Sequence, residues 1–580
     1  MELLSQLKQV SDLHAIEHRK LPALCDELRS ELIKIILQQG GHFAGNLGVV
    51  ELTVALHRVF SSPSDAIVWD VGHQAYPHKL LTGRHAELHT IRRFNGLSGF
   101  PKRGENPHDV FGTGHSSTAL SAALGMALAA ALRKEEQRTF VAVVGDGALT
   151  GGMAFEALNQ AAVTPGRLLI VVNDNNIGID PNTGAMASML QTMEPGKANW
   201  FTEMGFAYHG PVDGHNVLLL VDALKELKNG HLPAVLHVRT IKGKGYAPAE
   251  KEQTRFHSAP AWVKLNPAQP KQESLRFQDV FGDTLCELAD LYPEVCGVTP
   301  AMPSGSGMRR VMEAYPDRFW DVGIAEQHAV TLCAGLAAEG MKPFCSVYST
   351  FLQRGYDQLI HDVALQSLPV VFCIDRAGLV GEDGPTHHGS FDLAFLNPIP
   401  NLIIAAPRDE THLRALMHAA ALDTHMPWAI RYPRGGSGQP MKHIDFPATE
   451  VGKAEWLREG SGTAIIALGP LCYTAIEAVE LSKTQTAVAD MRFLKPLDTD
   501  FLNAVFDRFD AVITLEDGAV KGGLASAVAS HAAARQYAGR IKHLGIPDVF
   551  PTHGSVAELW RELGYDRDGI LAAIQSVQPV

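Results

Sequence analysis

Residues 139–179, TFVAVVGDGALTGGMAFEALNQAAVTPGRLLIVVNDNNIGI, constrain the fold of this chain more than any other stretch. The Val-rich run Phe140 to Val144 reads as a buried strand, and Gly145-Asp146-Gly147 as a turn that lets backbone approach a ligand closely. A helical pattern follows to about Val163 and stops at Pro165-Gly166. A second buried strand, Leu168 to Val172, then delivers Asn173-Asp174-Asn175. Strand–helix–strand crossovers place both strands parallel in one sheet. Asp146 and Asn175 are therefore predicted to end neighbouring strands on the carboxyl edge, where open α/β sheets bind ligands.

A carboxylate and an amide oxygen together at such an edge suit a hard cation that keeps some bonds for phosphate oxygens, as Mg²⁺ does. The helix starting near Gly151 turns its positive end toward the same place. A lone GDG is often an ordinary loop. GDG followed 29 residues later by the Asn that closes the next strand is far more specific.

At 580 residues the chain has room for two to four domains. A net charge of −13 argues against nonspecific nucleic-acid binding, which needs clustered Lys and Arg. Seven cysteines without CxxC spacing suggest neither a zinc site nor a disulfide framework. The N-terminal MELLSQLKQVSDLHAIEHRK has no signal-peptide core, and the weakly apolar run Ala119 to Leu132 is too short to span a bilayer. A cytoplasmic, reducing location and no membrane or nucleic-acid partner are expected.

Three further loops carry histidines. Helical spacing from Leu24 to Leu37 ends in a glycine-rich turn around His42, before a helix from about Val50 to Phe60. The short strand Ala66 to Trp69 runs into DVGHQAYPHK with His73. FGTGHSST leads into the Ala-rich helix, with Gly114, His115 and Ser116 at its start. Its Ser and Thr are expected to cap that helix, and such a turn also seats anions. From Gly178 to Tyr208 the pattern weakens into a polar, Met-rich connection. The strand Ala234 to Val238 ends in TIKGKGY, and residues from about Pro248 to Ser274 read as a linker.

The fold class expected is α/β, in three domains with mostly parallel sheets flanked by helices, at 1–274, 275–450 and 451–580. The second opens with a helix from Phe277 to Asp290 and reaches DVGIAEQHAV with Glu326, after which a small-residue helix runs from Ala329 to Gly340. Strands at Phe344 to Tyr348, Val370 to Ile374 and Leu402 to Ala405 carry strand-end loops with Arg376, Asp383, His387 and Arg434. The third has strands near Ala464 to Leu468, Thr486 to Ala489 and Ala511 to Leu515. It lacks a comparable cluster of titratable residues and is expected to stabilise an assembly.

DVGHQAYPHK, GHSSTALSAALGMA, VGDGALTGGMAFEALN, DVGIAEQHAV, YSTFLQRGYDQ, IDRAGLVGEDGPTH and RYPRG together resemble the thiamine diphosphate-dependent, transketolase-like family of 1-deoxy-D-xylulose 5-phosphate synthases. The resemblance covers nearly the whole chain. It implies a transferase that condenses pyruvate with D-glyceraldehyde 3-phosphate and releases CO₂. It implies a homodimer, with thiamine diphosphate and Mg²⁺ between the first and second domains. Carried over residue by residue, Asp146, Asn175 and the carbonyl of Ile177 hold the metal, and Gly145, Gly147 and Ala148 line the diphosphate turn. Gly114, His115, Ser116 and Lys242 lie on the diphosphate side. Glu326 supplies the proton to the pyrimidine nitrogen, and Phe351 stacks on that ring. His42, His73 and His387 exchange protons with substrate carbonyl and hydroxyl groups. Tyr348, Arg354, Arg376, Asp383 and Arg434 form the substrate side, where guanidinium forks suit a phosphate.

Two departures from the family pattern stand out. Gly45 occupies a position where relatives usually have serine, and the connection from Ile179 to Gly210 is several tens of residues short. Transketolase-type ketol transfer and the first component of a 2-oxo acid dehydrogenase remain alternatives. A silent scaffold would be expected to have lost Glu326 or the metal pair.

Overall fold

The computed structural model describes residues 2–135, 137–164, 166–259, 275–441 and 446–578. The chain divides into two compact units, Met1–Lys271 with Gly323–Ala325, and Gln272–Val322 with Glu326–Val580.

The first unit is built on a five-stranded, all-parallel sheet in the order Ala66–Trp69, Phe140–Gly145, Leu168–Asp174, Ala234–Arg239, Ala207–Asp213. Its central strands are continuous runs of Val, Ile and Leu because both faces are covered. Helices Leu21–Gln39, Val50–Val59 and Val217–Asn229 cover one face, burying Leu and Ile at helical spacing. Full burial of each such side chain is worth about 1.5–3 kcal/mol. On the other face Ala119–Leu132 and Gly152–Ala161 bury alanines, which lets them pack closely. The register pairs Gly145 with Asn173, so the GDG and NDN turns leave the sheet side by side, as expected.

The second unit holds two sheets. A seven-stranded sheet runs Phe493–Lys495, Ile403–Ala405, Trp428–Arg431, Val371–Asp375, Lys342–Tyr348, Val295–Thr299, Phe319–Asp321, antiparallel only at Phe493–Lys495. A five-stranded sheet runs Glu455–Arg458, Ala487–Asp490, Thr463–Ala467, Ala511–Ala519, Arg540–Ile546, antiparallel only at its first strand. Mostly parallel sheets flanked by helices make the fold α/β. Among the described residues no helix is long and apolar enough to cross a membrane.

Three local expectations are corrected. The stretch read as a linker is ordered over its first part: Ala247–Lys251 is a helix, and Ser258–Ala259 pairs antiparallel with Gly41–His42. The remainder, 260–274, lies outside the described residues. The connection after Gly178 contains two helices, Ala185–Thr192 and Trp200–Glu203, and Arg239 ties the first to the sheet by donating to the carbonyls of Leu190, Gln191 and Met193. The part read as poor in titratable groups buries Glu516 and Asp517 in the strand Ala511–Ala519.

Candidate active site

In the first unit the loops beginning at Asp70, at Phe111 and at Asp146 are bonded to one another. Asp70, ending its strand, accepts from the backbone N–H groups of Ser117 (2.6 Å) and Ala119 (2.9 Å). The start of helix Ala119–Leu132 is therefore satisfied by a carboxylate from another loop, and no Ser or Thr side chain caps it. The Ser117 hydroxyl in turn donates to the Ala148 carbonyl at 2.7 Å. Gly151 is needed there, since a Cβ would lie 2.2 Å from that hydroxyl oxygen. His115 and Gly114 lie just before Ser117 in the same loop.

At that turn Asp146 accepts from Gly147 N–H (2.9 Å) and Asn175 N–H (3.2 Å), and Asn175 Oδ1 accepts from Ile177 N–H at 3.2 Å. Burial, reinforced by the carboxylate of Asp174, pushes the Asp146 carboxyl up to about 7. A buried anion beside a second anion calls for a cation. Among the described residues no cluster of three or more His, Cys, Asp or Glu side chains could hold a metal. The oxygens present are one carboxylate, one amide and backbone carbonyls, a hard-donor set that fits Mg²⁺ with places left for phosphate. Asp174 itself is turned inward, accepting from Gln191 (2.8 Å) and bonded to the buried His237 (2.9 Å).

His42 and His73 come together around a third imidazole that the sequence reading missed. Ring centroids lie 5.8 Å apart for His42–His73, 5.8 Å for His42–His257 and 5.3 Å for His73–His257. His257 is delivered by the two-residue pairing of Ser258–Ala259 with Gly41–His42. The one signal in its polar stretch is Phe256, the sole large apolar side chain of 247–259, which joins the core. Asn46 fixes the other two loops, donating to the carbonyls of His42 (2.6 Å) and His73 (2.8 Å). Lys242 Nζ bonds His257 Nδ1 at 3.1 Å and also reaches the Gly178 carbonyl. Burial, helped by the Lys242 charge, pulls His73 down to about 3 and His257 well below the usual histidine range. Burial also brings Lys242 down to about 8, against the pull of Asp146 and Asp180. Burial therefore keeps the His73 and His257 imidazoles in the neutral form. At Gly45 a Cβ would stand 3.0 Å from the His73 ring, so the glycine lets that ring settle closer than a serine would.

In the second unit Glu326 opens the helix Glu326–Ala338. It is buried, its Oε2 has no hydrogen-bond partner among the described residues, and burial raises its pKa while Arg354 opposes the rise. Burial thus favours the protonated carboxyl, the form that can donate a proton to a buried base. A second group forms at the ends of adjacent strands, whose register pairs Tyr348 with Asp375. Tyr348 stacks on Phe351 (5.6 Å, 10°), the Arg376 guanidinium lies 4.2 Å from the Tyr348 ring centre, and His387 meets Phe351 edge-on at 5.6 Å. Arg376 is held by Asp375 and by the Gly305 carbonyl (2.9 Å). Arg434, half-exposed, donates to the Val380 carbonyl at 3.1 Å in the loop that carries Asp383 and His387. Its guanidinium has donors to spare for an anion.

The family profile described as 1-deoxy-D-xylulose-5-phosphate synthase matches residues 4–200 and 193–240. Those for the transketolase pyrimidine binding domain and C-terminal domain match 273–438 and 452–570. The chain is 46% identical to the 1-deoxy-D-xylulose-5-phosphate synthase of Cytophaga hutchinsonii, covering 100% of this chain and 99% of that one. It is also 46% identical to that of Alkalilimnicola ehrlichii, covering 99% and 97%. A transketolase structure from Leishmania mexicana aligns at 17% identity over 97% of each chain, with a TM-score of 0.45. The Cytophaga alignment runs over 629 positions against 580 residues, so at least 49 have no counterpart here. The first profile breaks at 193–200, inside the short Ile179–Gly210 connection.

Proposed function

The chain belongs to the 1-deoxy-D-xylulose-5-phosphate synthase family, and on that premise we propose roles for its residues in the family's reaction. That reaction is the thiamine diphosphate- and Mg²⁺-dependent condensation of pyruvate with D-glyceraldehyde 3-phosphate, giving 1-deoxy-D-xylulose 5-phosphate and CO₂ for isoprenoid precursor synthesis. The bound cofactor supplies the electron sink that decarboxylation requires. Asp146, Asn175 and the Ile177 carbonyl hold Mg²⁺, and Gly145, Gly147, Ala148, Gly114, His115, Ser116 and Lys242 form the diphosphate seat. Glu326 holds a proton at its carboxyl for the pyrimidine nitrogen, and Phe351 presents its ring face to that heterocycle. His42, His73 and His257 face the substrate and exchange protons with it, while Tyr348, Arg354, Arg376, Asp383, His387 and Arg434 receive the phosphorylated aldehyde.

The observation that carries this reading is the bonded pair Asp146–Asn175 on adjacent strand ends, with the buried acid pushed up to about 7. The domains 1–274, 275–450 and 451–580 are assigned the diphosphate, the pyrimidine and a supporting role. A cytoplasmic homodimer accommodates the seven unpaired cysteines and the family's habit, and sedimentation of the purified protein tests it. The decisive assay supplies thiamine diphosphate, Mg²⁺, pyruvate and glyceraldehyde 3-phosphate, and measures CO₂ and the five-carbon product together. Equal amounts of both, with weak turnover when xylulose 5-phosphate replaces pyruvate and no need of a lipoyl protein, are expected. Arg434→Ala is expected to raise the aldehyde KM, since a charged hydrogen bond is worth roughly 1.5–3 kcal/mol.

A further inference from the structure

The strand Val371–Asp375 ends in a loop that carries Arg376, Asp383 and His387 and turns back on itself. Gly378 and Gly389 exchange both backbone hydrogen bonds, at 3.0 and 2.7 Å. What holds this loop lies far along the chain. Leu379 N–H donates to both carboxylate oxygens of Asp517 at 3.3 Å, and Tyr565 donates its hydroxyl to Oδ1 at 3.0 Å. Ala519 N–H donates to the Ser390 carbonyl at 2.7 Å. His388 donates from Nε2 to the Thr552 carbonyl (2.9 Å) and accepts at Nδ1 from Val380 N–H (3.1 Å), which fixes its tautomer.

Shape agrees with the bonding. Gly378 has φ +72°, and a Cβ there would lie 2.2 Å from Asp517 Oδ2, so only glycine lets the carboxylate come this close. Gly384, also left-handed, leaves room for His553. Asp517 is buried, and Arg431, at the end of strand Trp428–Arg431 in the other sheet, donates from its guanidinium to the Asp517 carbonyl (2.8 Å) and to Asp392 (2.9 Å). A carboxylate is costly to bury, and here its bonds go to the neck of one loop and to the tyrosine behind it.

We propose that Asp517, backed by Tyr565, is a positioning residue that seats the 377–389 loop and thereby sets affinity for the phosphorylated aldehyde. The C-terminal part of the chain is on this account a template for the substrate side, and its role is not confined to assembly. The inference rests on the acceptor-side reading of Asp383, His387 and Arg434 given above.

The test uses the holoenzyme with Asp517→Ala, Asp517→Asn, Tyr565→Phe and, as control for the reading itself, Arg434→Ala. Amide exchange across 378–389 and the KM for each substrate are measured together with thiamine diphosphate affinity. Asp517→Ala should speed exchange in 378–389 and raise the aldehyde KM about tenfold, leaving pyruvate KM and cofactor affinity within about twofold. Asp517→Asn, which keeps an acceptor for Leu379, should recover part of the loss, and Tyr565→Phe should give a smaller change of the same kind. Unchanged exchange in 378–389 overturns the anchor. Faster exchange with an unchanged aldehyde KM, when Arg434→Ala does raise it, overturns the link to substrate. If neither Arg434→Ala nor Asp517→Ala moves the aldehyde KM, the acceptor-side reading fails, and exchange alone still decides the anchor. Should Asp517→Ala not fold, Gly378→Ala applies the same disturbance from the loop side, and wild-type exchange in it and in Tyr565→Phe overturns the proposal.

Discussion

Asp146, just after strand Phe140–Gly145 in the first unit, and Glu516, near the end of strand Ala511–Ala519 in the second, are both pushed up to about 7 by burial. The causes that follow burial separate them. For Asp146 the next is another carboxylate, Asp174, and its oxygens meet a turn that also offers the Asn175 amide and nearby carbonyls. For Glu516 the next are the backbone N–H groups of Ala525 and Leu524, which it receives at 2.7 and 2.8 Å as the start of helix Leu524–Ala534. A perturbed acid is therefore not in itself a site. Both acids have a second carboxylate nearby and accept backbone N–H groups. Only Asp146 lies in a turn that also offers the Asn175 amide and nearby carbonyls to a cation, whereas the Glu516 oxygens are taken up by the start of a helix.

Exchanging each acid for a neutral residue should separate the two most sharply. Asp146→Ala is expected to abolish saturable Mg²⁺-dependent thiamine diphosphate binding and lower kcat/KM by about a hundred- to a thousandfold or more, the order of loss seen when a charge-stabilising group is removed. Glu516→Gln should retain activity within a few-fold, because its partners are backbone groups of its own strand–helix corner. Titration calorimetry and steady-state kinetics check both. Wild-type cofactor affinity in Asp146→Ala would erase the distinction.

Glu326 extends the comparison, since it is raised by burial yet has an oxygen without a partner among the described residues. Its charged neighbour is a cation, Arg354, but its unpartnered oxygen places it with Asp146 on the functional side. Glu326→Ala should keep much of its cofactor binding and lose proton exchange at the thiazolium C2 by roughly 10²–10⁴-fold. Exchange followed by NMR at the wild-type rate would move Glu326 to the structural class.

A smaller effect is expected on unfolding. Saturating cofactor and Mg²⁺, at about a hundred times Kd, should stabilise the wild type by roughly 2.7 kcal/mol. Glu516→Gln should show the same increment on a lower baseline, and Asp146→Ala should show none. Calorimetric scans with and without EDTA read the difference.

Much of this was legible in the sequence because it is carried by local pattern. The buried Val-rich strands, the spacing from Asp146 to Asn175 and the three histidine loops follow from periodicity and turn chemistry over short windows. What escaped depends on pairings distant in sequence. His257 sits in a polar stretch and is placed by two residues of antiparallel pairing with Gly41–His42, too short for any alternation to register. Asp70 takes over the cap of a helix that begins about fifty residues later, the role expected of the adjacent Ser and Thr. The strand Ala511–Ala519 reads as an ordinary apolar run until its last turn, where Glu516 and Asp517 meet partners from four other parts of the chain.

The smallest effect, and the one that tests the structural half of the comparison most directly, is the pH dependence of stability. Glu516 has an ordinary value of 4.5 and sits near 7 in the folded protein. Between those values the folded state holds a proton that the unfolded state has released, so the contribution of this group is fully present below about pH 4.5 and is lost as pH rises through 7. Glu516→Gln cannot titrate and lacks that loss. Its destabilisation relative to wild type should therefore be largest near pH 5 and shrink by roughly 1–3 kcal/mol by pH 8, since a tenfold change in proton affinity is worth about 1.4 kcal/mol. Asp517, raised to about 6 by burial, titrates in the same window in both proteins and cancels from the difference to the extent that the two acids act independently. Denaturant unfolding of the two proteins at pH 5 and pH 8 provides the measurement. A penalty that stays constant or grows toward pH 8 would mean that Glu516 is ionised throughout, and that the helix start at Leu524 stabilises its charge more than burial opposes it.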